Sequence, residues 1–453
     1  MSNELFDDFS SVTSKAWKQK IQADLKGADY NDTLIWKTNE GINVKPFYHR
    51  DDFEGKEPLH VASNHWNIGQ CIFVSNEKAA NDKAANAIER GAESIKFIIP
   101  NKDISIEELF LNLDLTSTPI HLELQFLDFD FTQQVNAMAG NAEIHIHTDI
   151  LGHLAKSGNW FVNLEEDHDH LKKMVKHNTA LKSCIGINVD LYQNAGASIV
   201  QQLAYAMAHV NEYLNHFGDA LTQSITFNVS VGTNYFFEIA KIRALRLLWN
   251  TLASEYGISK PCIVVATPTK RNKTIYDYNT NMLRTTTECM SAILGGANTI
   301  CNLPYDAIYH KDNEFGERIS RNQLLILKKE SYFGAVTNAS NGSYYIESLT
   351  EQLAEKALII FKAIENGGGF LKQLKEGIIQ KKIKETANRE QEQFDNGELV
   401  LLGTNKHPNA NDKMKDDMEI YPFLKTDVRK TLIEPILEKR LAETMEQTRL
   451  KTE

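Results

Sequence analysis

No apolar run in the 453-residue chain approaches the roughly 20 residues that a membrane-crossing helix needs. Met1 to Ser14 carries neither a basic start nor an apolar centre, so nothing there reads as a secretory signal. A cytoplasmic location is expected, with no membrane partner. Cysteine is scarce. The five residues Cys71, Cys184, Cys262, Cys289 and Cys301 are odd in number and include no CxxC pair, which excludes a disulfide framework and a zinc ribbon. Three of them (Cys71, Cys184 and Cys262) fall in apolar runs, as buried free thiols in a reducing compartment do. Excess positive charge is also missing: the net charge of −11 disfavours nucleic acid as a partner. No phosphate loop, dinucleotide fingerprint, nucleophile elbow or HExxH helix occurs.

What is present supports a large folded core, with 42% hydrophobic and 24% charged residues. Eight short β-branched or aromatic runs follow one another: 68–74, 94–99, 120–126, 142–148, 183–189, 225–231, 261–266 and 298–303. Helical patterns separate most of them, at 77–90, 105–113, 132–138, 197–217, 235–256 and 282–294, and a further one at 315–330 follows the eighth. Near-continuous apolar strands alternating with helices imply a parallel sheet covered by helices. Eight such units predict an α/β fold, a closed (β/α)8 TIM barrel, with an N-terminal arm and a C-terminal helical wrap. The fourth unit is the weakest, because 150–179 is polar and irregular. The arm, residues 1–60, holds a helix from Ser14 to Leu25 and aromatics (Trp17, Trp36, Phe47, Tyr48) that pack on the barrel or on a partner. The barrel spans 61–331 and the wrap 332–453. In the wrap, helices are expected at 351–366, 370–393 and 428–451, a strand at 398–403 and a polar loop at 406–417.

Several constellations bear on chemistry. His145 and His147, two apart, share one face of a strand, as the first ligands of barrel metalloenzymes do, but no further ligand is placed convincingly, so no metal is expected. The run Glu165 to His170 (EEDHDH) reads as a solvated acidic loop. Glu238, Lys241, Arg243 and Arg246 lie on one helix, either as outer-layer ion pairs or with a buried arginine bridging to a neighbouring helix or subunit. Arg284-Thr-Thr-Thr-Glu288 stands near a helix start, where threonines and an acid suit the positive dipole end; the functional reading is an anion or cofactor contact at the barrel mouth. Gly295-Gly296 precedes a strand, so a C-cap fits better than a phosphate turn. The residues alone imply a β/α barrel with tails and leave its site open.

A set of ordered stretches resembles the small (beta) subunits of methylmalonyl-CoA mutase, in the cobalamin-dependent mutase family. They are Trp17 with Ile21 to Tyr30 (IQADLKGADY), Leu34 to Tyr48, Gln193 to Ala197 (QNAGA), Phe236 to Arg243, Arg284 to Glu288, Gly295-Gly296, Arg318 to Asn322 and Gly342 to Glu347. The resemblance implies an adenosylcobalamin-dependent isomerase that interconverts methylmalonyl-CoA and succinyl-CoA. It implies a heterodimer with a catalytic large (alpha) subunit, which binds the cofactor and the CoA thioester. Catalytic members carry a Tyr-His pair just before the stretch matching Gln193 to Ala197; here Asp190 and Leu191 stand there. Leucine can neither donate nor accept a proton, so these are degenerate positions and no catalytic residue is expected on this chain. The Tyr/Arg-rich stretch of the family before the first strand is replaced by His60 to Trp66 (HVASNHW). The D-x-H-x-x-G signature of a cobalamin domain is absent, so no cobalamin-binding domain and no cofactor on this chain are expected. Two other readings stay open: an active barrel that borrows a separate cobalamin-binding chain, and an unrelated metal-dependent barrel enzyme using His145 and His147.

Overall fold

The computed structural model describes residues 9–53, 65–336, 339–425 and 429–453. It opens with the helix Ser14–Asp24 and a hairpin of β1 (Trp36–Lys37) and β2 (Asn43–Val44). Eight strands follow: β3 (Asn67–Phe73), β4 (Ser94–Ile99), β5 (Ile120–Leu124), β6 (Ile144–Thr148), β7 (Ser183–Asn188), β8 (Ile225–Val231), β9 (Ile263–Pro268) and β10 (Thr299–Cys301). They pair in parallel and close into a barrel in chain order, with β10 beside β3. The predicted (β/α)8 architecture is therefore the observed one. Short polar caps set where helices begin. Asn76, Asp128, Asp149 and Asn163 each accept a first-turn N–H, and Ser198 forms a capping box with Gln201.

The weak fourth unit is regular after all. Helices Ile150–Ser157 and Leu164–His177 fill it. Leu171, Met174 and Val175 give the second helix its buried stripe, which the charged residues between them hide in the sequence. The expected helix at 370–393 is two, Phe370–Lys375 and Ile378–Asp395, because Gly377 takes φ +73° between them. The expected strand at 398–403 is instead irregular, with one isolated bridge from Leu402 to Lys406. The expected helix at 428–451 is helical only from Glu443 to Leu450. Pro435 removes an N–H and restrains Glu434, so the chain before it runs extended. Of the stretch before β3, His60 to Asn64 lies outside the described residues, as does Val428; Trp66 is buried and donates to the Phe333 carbonyl at 3.3 Å.

That extended stretch, 429–442, matters for the site. Leu432 and Ile433 donate backbone N–H groups to Gly158 O, Ile436 to Ala155 O, Lys439 to Asn194 O and Leu441 to Arg271 O. These acceptors follow β6, β7 and β9, so the stretch lies as a strap across the C-terminal face of the barrel. The N-terminal arm packs on the same chain's outer helices. Trp36 meets Phe237 edge-on, Tyr48 lies against Tyr345, and Phe53 stacks on Tyr344. Glu40 accepts the N–H groups of Ile199 and Val200 at 2.8 Å each, placing its carboxylate at the positive end of the helix Ile199–Phe217.

Candidate functional site

In a (β/α)8 barrel, chemistry sits where the strands end, and access is set by what fills the axis. The axis is built from residues two apart on neighbouring strands. His121 and Glu123 alternate along β5, and Lys96 is the β4 partner of His121. His145 is the β6 partner of His121, with His147 two residues on. His121 Nε2 reaches Thr299 Oγ1 at 3.3 Å, and β3 and β4 separate their two strands, so the contact runs through the interior. His121 Nδ1 bonds His147 Nε2 at 3.0 Å, and the His121 and His145 rings stack at 4.7 Å. Burial, together with the neighbouring rings, pushes His121 well below the ordinary histidine range. Burial and the Lys96 charge do the same to His147, so both are neutral at pH 7.

Next to these rings Lys96 Nζ lies 2.7 Å from Glu123 Oε2. The lysine charge holds the Glu123 carboxyl down to about 2. Two glycines make room. A Cβ on Gly186 would stand 2.7 Å from His147 Cβ, and one on Gly69 would stand 2.6 Å from Cys301 Sγ. Lys96, His121, His145, His147, Thr226 and Thr299 are all buried. The axis thus carries polar side chains, most of them buried, with Nδ1 of His145 and of His147 lacking a hydrogen-bond partner and Glu123 30% exposed.

At the strand ends, the stretch after β7 forms a short helix, Asp190–Asn194. Tyr192 fixes it, because its hydroxyl bonds His209 Nδ1 at 2.8 Å. His209 Nε2 and the Tyr213 hydroxyl both bond Asp149 Oδ1 at 2.8 Å, and Asn188 N donates to Asp149 Oδ2 at 2.9 Å. Burial opposes charge on Asp149, but His209 and the backbone donors outweigh it and hold its carboxyl below the usual range. So held, Leu191 is 2% exposed within the core. Asp190 turns its Oδ1 into a buried position with no hydrogen-bond partner. Burial first, and then the Glu438 carboxylate of the strap, push Asp190 up to about 6. Lys270, after β9, faces Glu438 at 3.5 Å.

The other sequence candidates do not converge on this mouth. Among the described residues no group of three or more His, Cys, Asp or Glu is placed to hold a metal ion. The Glu165 to His170 run is helical rather than a loop, and Asp167 within it is buried, accepting the N–H groups of Phe161 and Val162. Glu238 and Lys241 form a buried pair at 2.5 Å rather than an outer-layer one. Arg243 bridges to Glu347 of the neighbouring helix Tyr344–Asn366 at 2.6 Å. Arg246 donates to Gly296 O, and Gly296, at φ +88°, is a left-handed C-cap. Arg284 ties its helix to Leu402 O, and Glu288 pairs with buried Lys273 at 2.8 Å. Lys96, Glu123, Lys270 and Glu438 escaped the sequence reading. The alternation of Ser94 with Lys96, and of His121 with Glu123, inside otherwise apolar strands was the available signal. A cleft of about 370 Å³ lies beside the mouth, between the β1–β2 hairpin, the loops after β7, β8 and β9, and the helix Ile378–Asp395.

A sequence profile described as methylmalonyl-CoA mutase matches residues 102–451. The chain is similar to the methylmalonyl-CoA mutase small subunit of Porphyromonas gingivalis, at 33% identity over 99% of this chain and 78% of that protein. It is 28% identical to a methylmalonyl-CoA mutase of Cereibacter sphaeroides, over 91% of this chain and 66% of that protein. It is 26% identical to the methylmalonyl-CoA mutase large subunit of P. gingivalis, over 88% of this chain and 64% of that protein. The chain therefore spans just under two thirds of the length of the last two.

Proposed function

Because the chain belongs to the methylmalonyl-CoA mutase family, we propose that it is the small subunit of an adenosylcobalamin-dependent mutase and a non-catalytic partner of the homologous large subunit. The large subunit would bind the cofactor and the CoA thioester and carry out the isomerisation of methylmalonyl-CoA to succinyl-CoA. This chain alone would be inactive.

The observation that carries this reading is the set of side chains along the axis. The resemblance implies that the CoA pantetheine threads the barrel of catalytic members, and here the Lys96–Glu123 pair and the rings of His121, His145 and His147 stand in that path. Opening that path means breaking a charged pair in a poorly hydrated interior, which costs several kcal/mol. Two further features support the same reading. Leu191 stands where catalytic members carry histidine, and it is packed in the core with no polar atom to offer. The face that a corrin ring would cover is crossed by the strap, held by backbone hydrogen bonds to Ala155, Asn194 and Arg271. The residues at this mouth do not fit a cobalamin.

The test is reconstitution. This chain, the large subunit, adenosylcobalamin and methylmalonyl-CoA are mixed and compared with each chain alone and with the Leu191→His variant. Turnover is expected only when the large subunit is present, with no gain from Leu191→His. Turnover by this chain with only a separate cobalamin-binding chain added would overturn the proposal.

A further inference from the structure

Above the mouth, the strap forms one wall of a second cleft of about 270 Å³. Lys270 and Arg271 after β9, Ala307 and Ile308 after β10, and the stretch 421–425 form the rest of it. Five cationic residues line this cleft (Lys270, Arg271, Lys425, Lys439 and Arg440) against two acidic ones, Glu438 and Glu443. Arg271 and Arg440 are paired with Glu390 and Glu446 behind the wall, so the charge that the cleft offers is that of its lysines, in a chain that carries −11. A concave patch of opposite sign concentrates counter-ions.

The arginines build the walls. Arg271 Nε is held by Glu390 at 2.6 Å and its Nη1 by Lys439 O at 2.7 Å. Arg440 donates to Pro422 O, Lys273 O and Glu446. Glu443 is also engaged, accepting the N–H groups of Arg440 and Leu424. The lysines are less committed. Lys270 is 53% exposed with Glu438 at 3.5 Å, and that carboxylate keeps its ammonium charged by raising its pKa. Lys425 and Lys439 are exposed, and among the described residues neither is joined in an ion pair.

Barrels of this class commonly bind phosphate at the loops after their seventh and eighth strands, which here are β9 and β10. We propose that this cleft binds a small phosphoryl-bearing anion, whose oxygens bridge Lys270 on the barrel to Lys425 and Lys439 on the C-terminal segment. Such a bridge clamps the strap across the mouth. The site is independent of the subunit role, since it needs neither a partner nor turnover.

Isothermal titration of the full chain with inorganic pyrophosphate at fixed ionic strength tests it. The comparison is with the double variant Lys270→Gln/Lys425→Gln and with Lys83→Gln, a surface lysine on the helix after β3. Saturable binding is expected, weakened about tenfold or more in the double variant and unchanged in Lys83→Gln. Hydrogen exchange at the Lys439 and Leu441 amides should slow when pyrophosphate is bound. No saturable heat up to millimolar pyrophosphate, or equal affinity in the double variant, overturns the proposal. A melting curve checks that the double variant is folded; if it is not, Lys425→Gln alone replaces it, and unchanged affinity there overturns the proposal equally.

Discussion

Lys96 Nζ approaches Glu123 Oε2 to 2.7 Å inside the barrel, beside the rings of His121, His145 and His147. Removing one partner leaves the other charge poorly solvated, while removing both leaves an apolar gap that its neighbours can fill. Lys96→Met should cost about 2–3 kcal/mol, less than for a fully buried pair because Glu123 keeps some contact with solvent. The double variant Lys96→Met/Glu123→Leu should recover most of the loss in guanidinium unfolding. Equal losses in the two would show that the pair does not act as a unit.

The same pair predicts acid sensitivity. Glu123 titrates lower in the fold, at about 2, than its ordinary value near 4.5, chiefly because of Lys96. Its contribution is therefore present above pH 4.5 and is lost as pH falls towards 2. Melting temperature should drop more steeply over that window in the native chain than in Lys96→Met/Glu123→Leu. Parallel slopes would remove Glu123 from the account.

Asp190 gives the opposite sign. Its carboxyl is pushed up from 3.8 to about 6, so the fold favours the protonated form, and that stabilisation is lost as pH rises through 6. Asp190→Asn should leave the melting temperature unchanged near pH 4 and raise it above pH 7. A variant that is less stable at pH 8 than the native chain would mean that the carboxylate is paired there.

Asp149 gathers donors from His209, Tyr213, Gly152 and Asn188. Asp149→Ala leaves them unpaired in the core and should cost about 3–5 kcal/mol. Tyr213→Phe removes one donor to Asp149 and the acceptor of the Leu151 N–H, and should cost about 2 kcal/mol. Urea unfolding separates the two, and similar losses would mean that the network is not centred on the aspartate.

Deleting residues 1–50 should weaken association with the proposed large-subunit partner, measured by titration with the folded truncated chain. The arm already lies on its own barrel through Trp36, Tyr48 and Phe53, so a lower melting temperature for the chain alone is expected as well. Unchanged affinity would place the subunit contact elsewhere.

The eight strands were legible because their apolar runs are short and bounded, and the pairing order follows from that alternation. The helix Leu164–His177 was not legible, because its buried Leu171, Met174 and Val175 are diluted by a charged face. The strap was misread as helix because its charge pattern outweighed a single proline, Pro435. At the site, Leu191 stood out against a resemblance, and the histidine pair stood out by spacing. Lys96 and Glu123 did not, because a charge within a strand acquires meaning only when the register brings it beside its counter-charge, here diagonally, since Lys96 pairs with His121 and Glu123 with Ile98. That register is a property of the closed barrel and is not written in either strand alone.

The two ends of the described chain are both fastened to its middle. Glu40 holds the N–H of Ile199, 159 residues away, and Arg271 holds the carbonyl of Lys439, 168 residues away. Both contacts close long loops, which costs entropy before any bond repays it. Refolding should therefore have a late phase in which arm and strap dock on a barrel already closed, and the mouth would be the last part of the molecule to lose water.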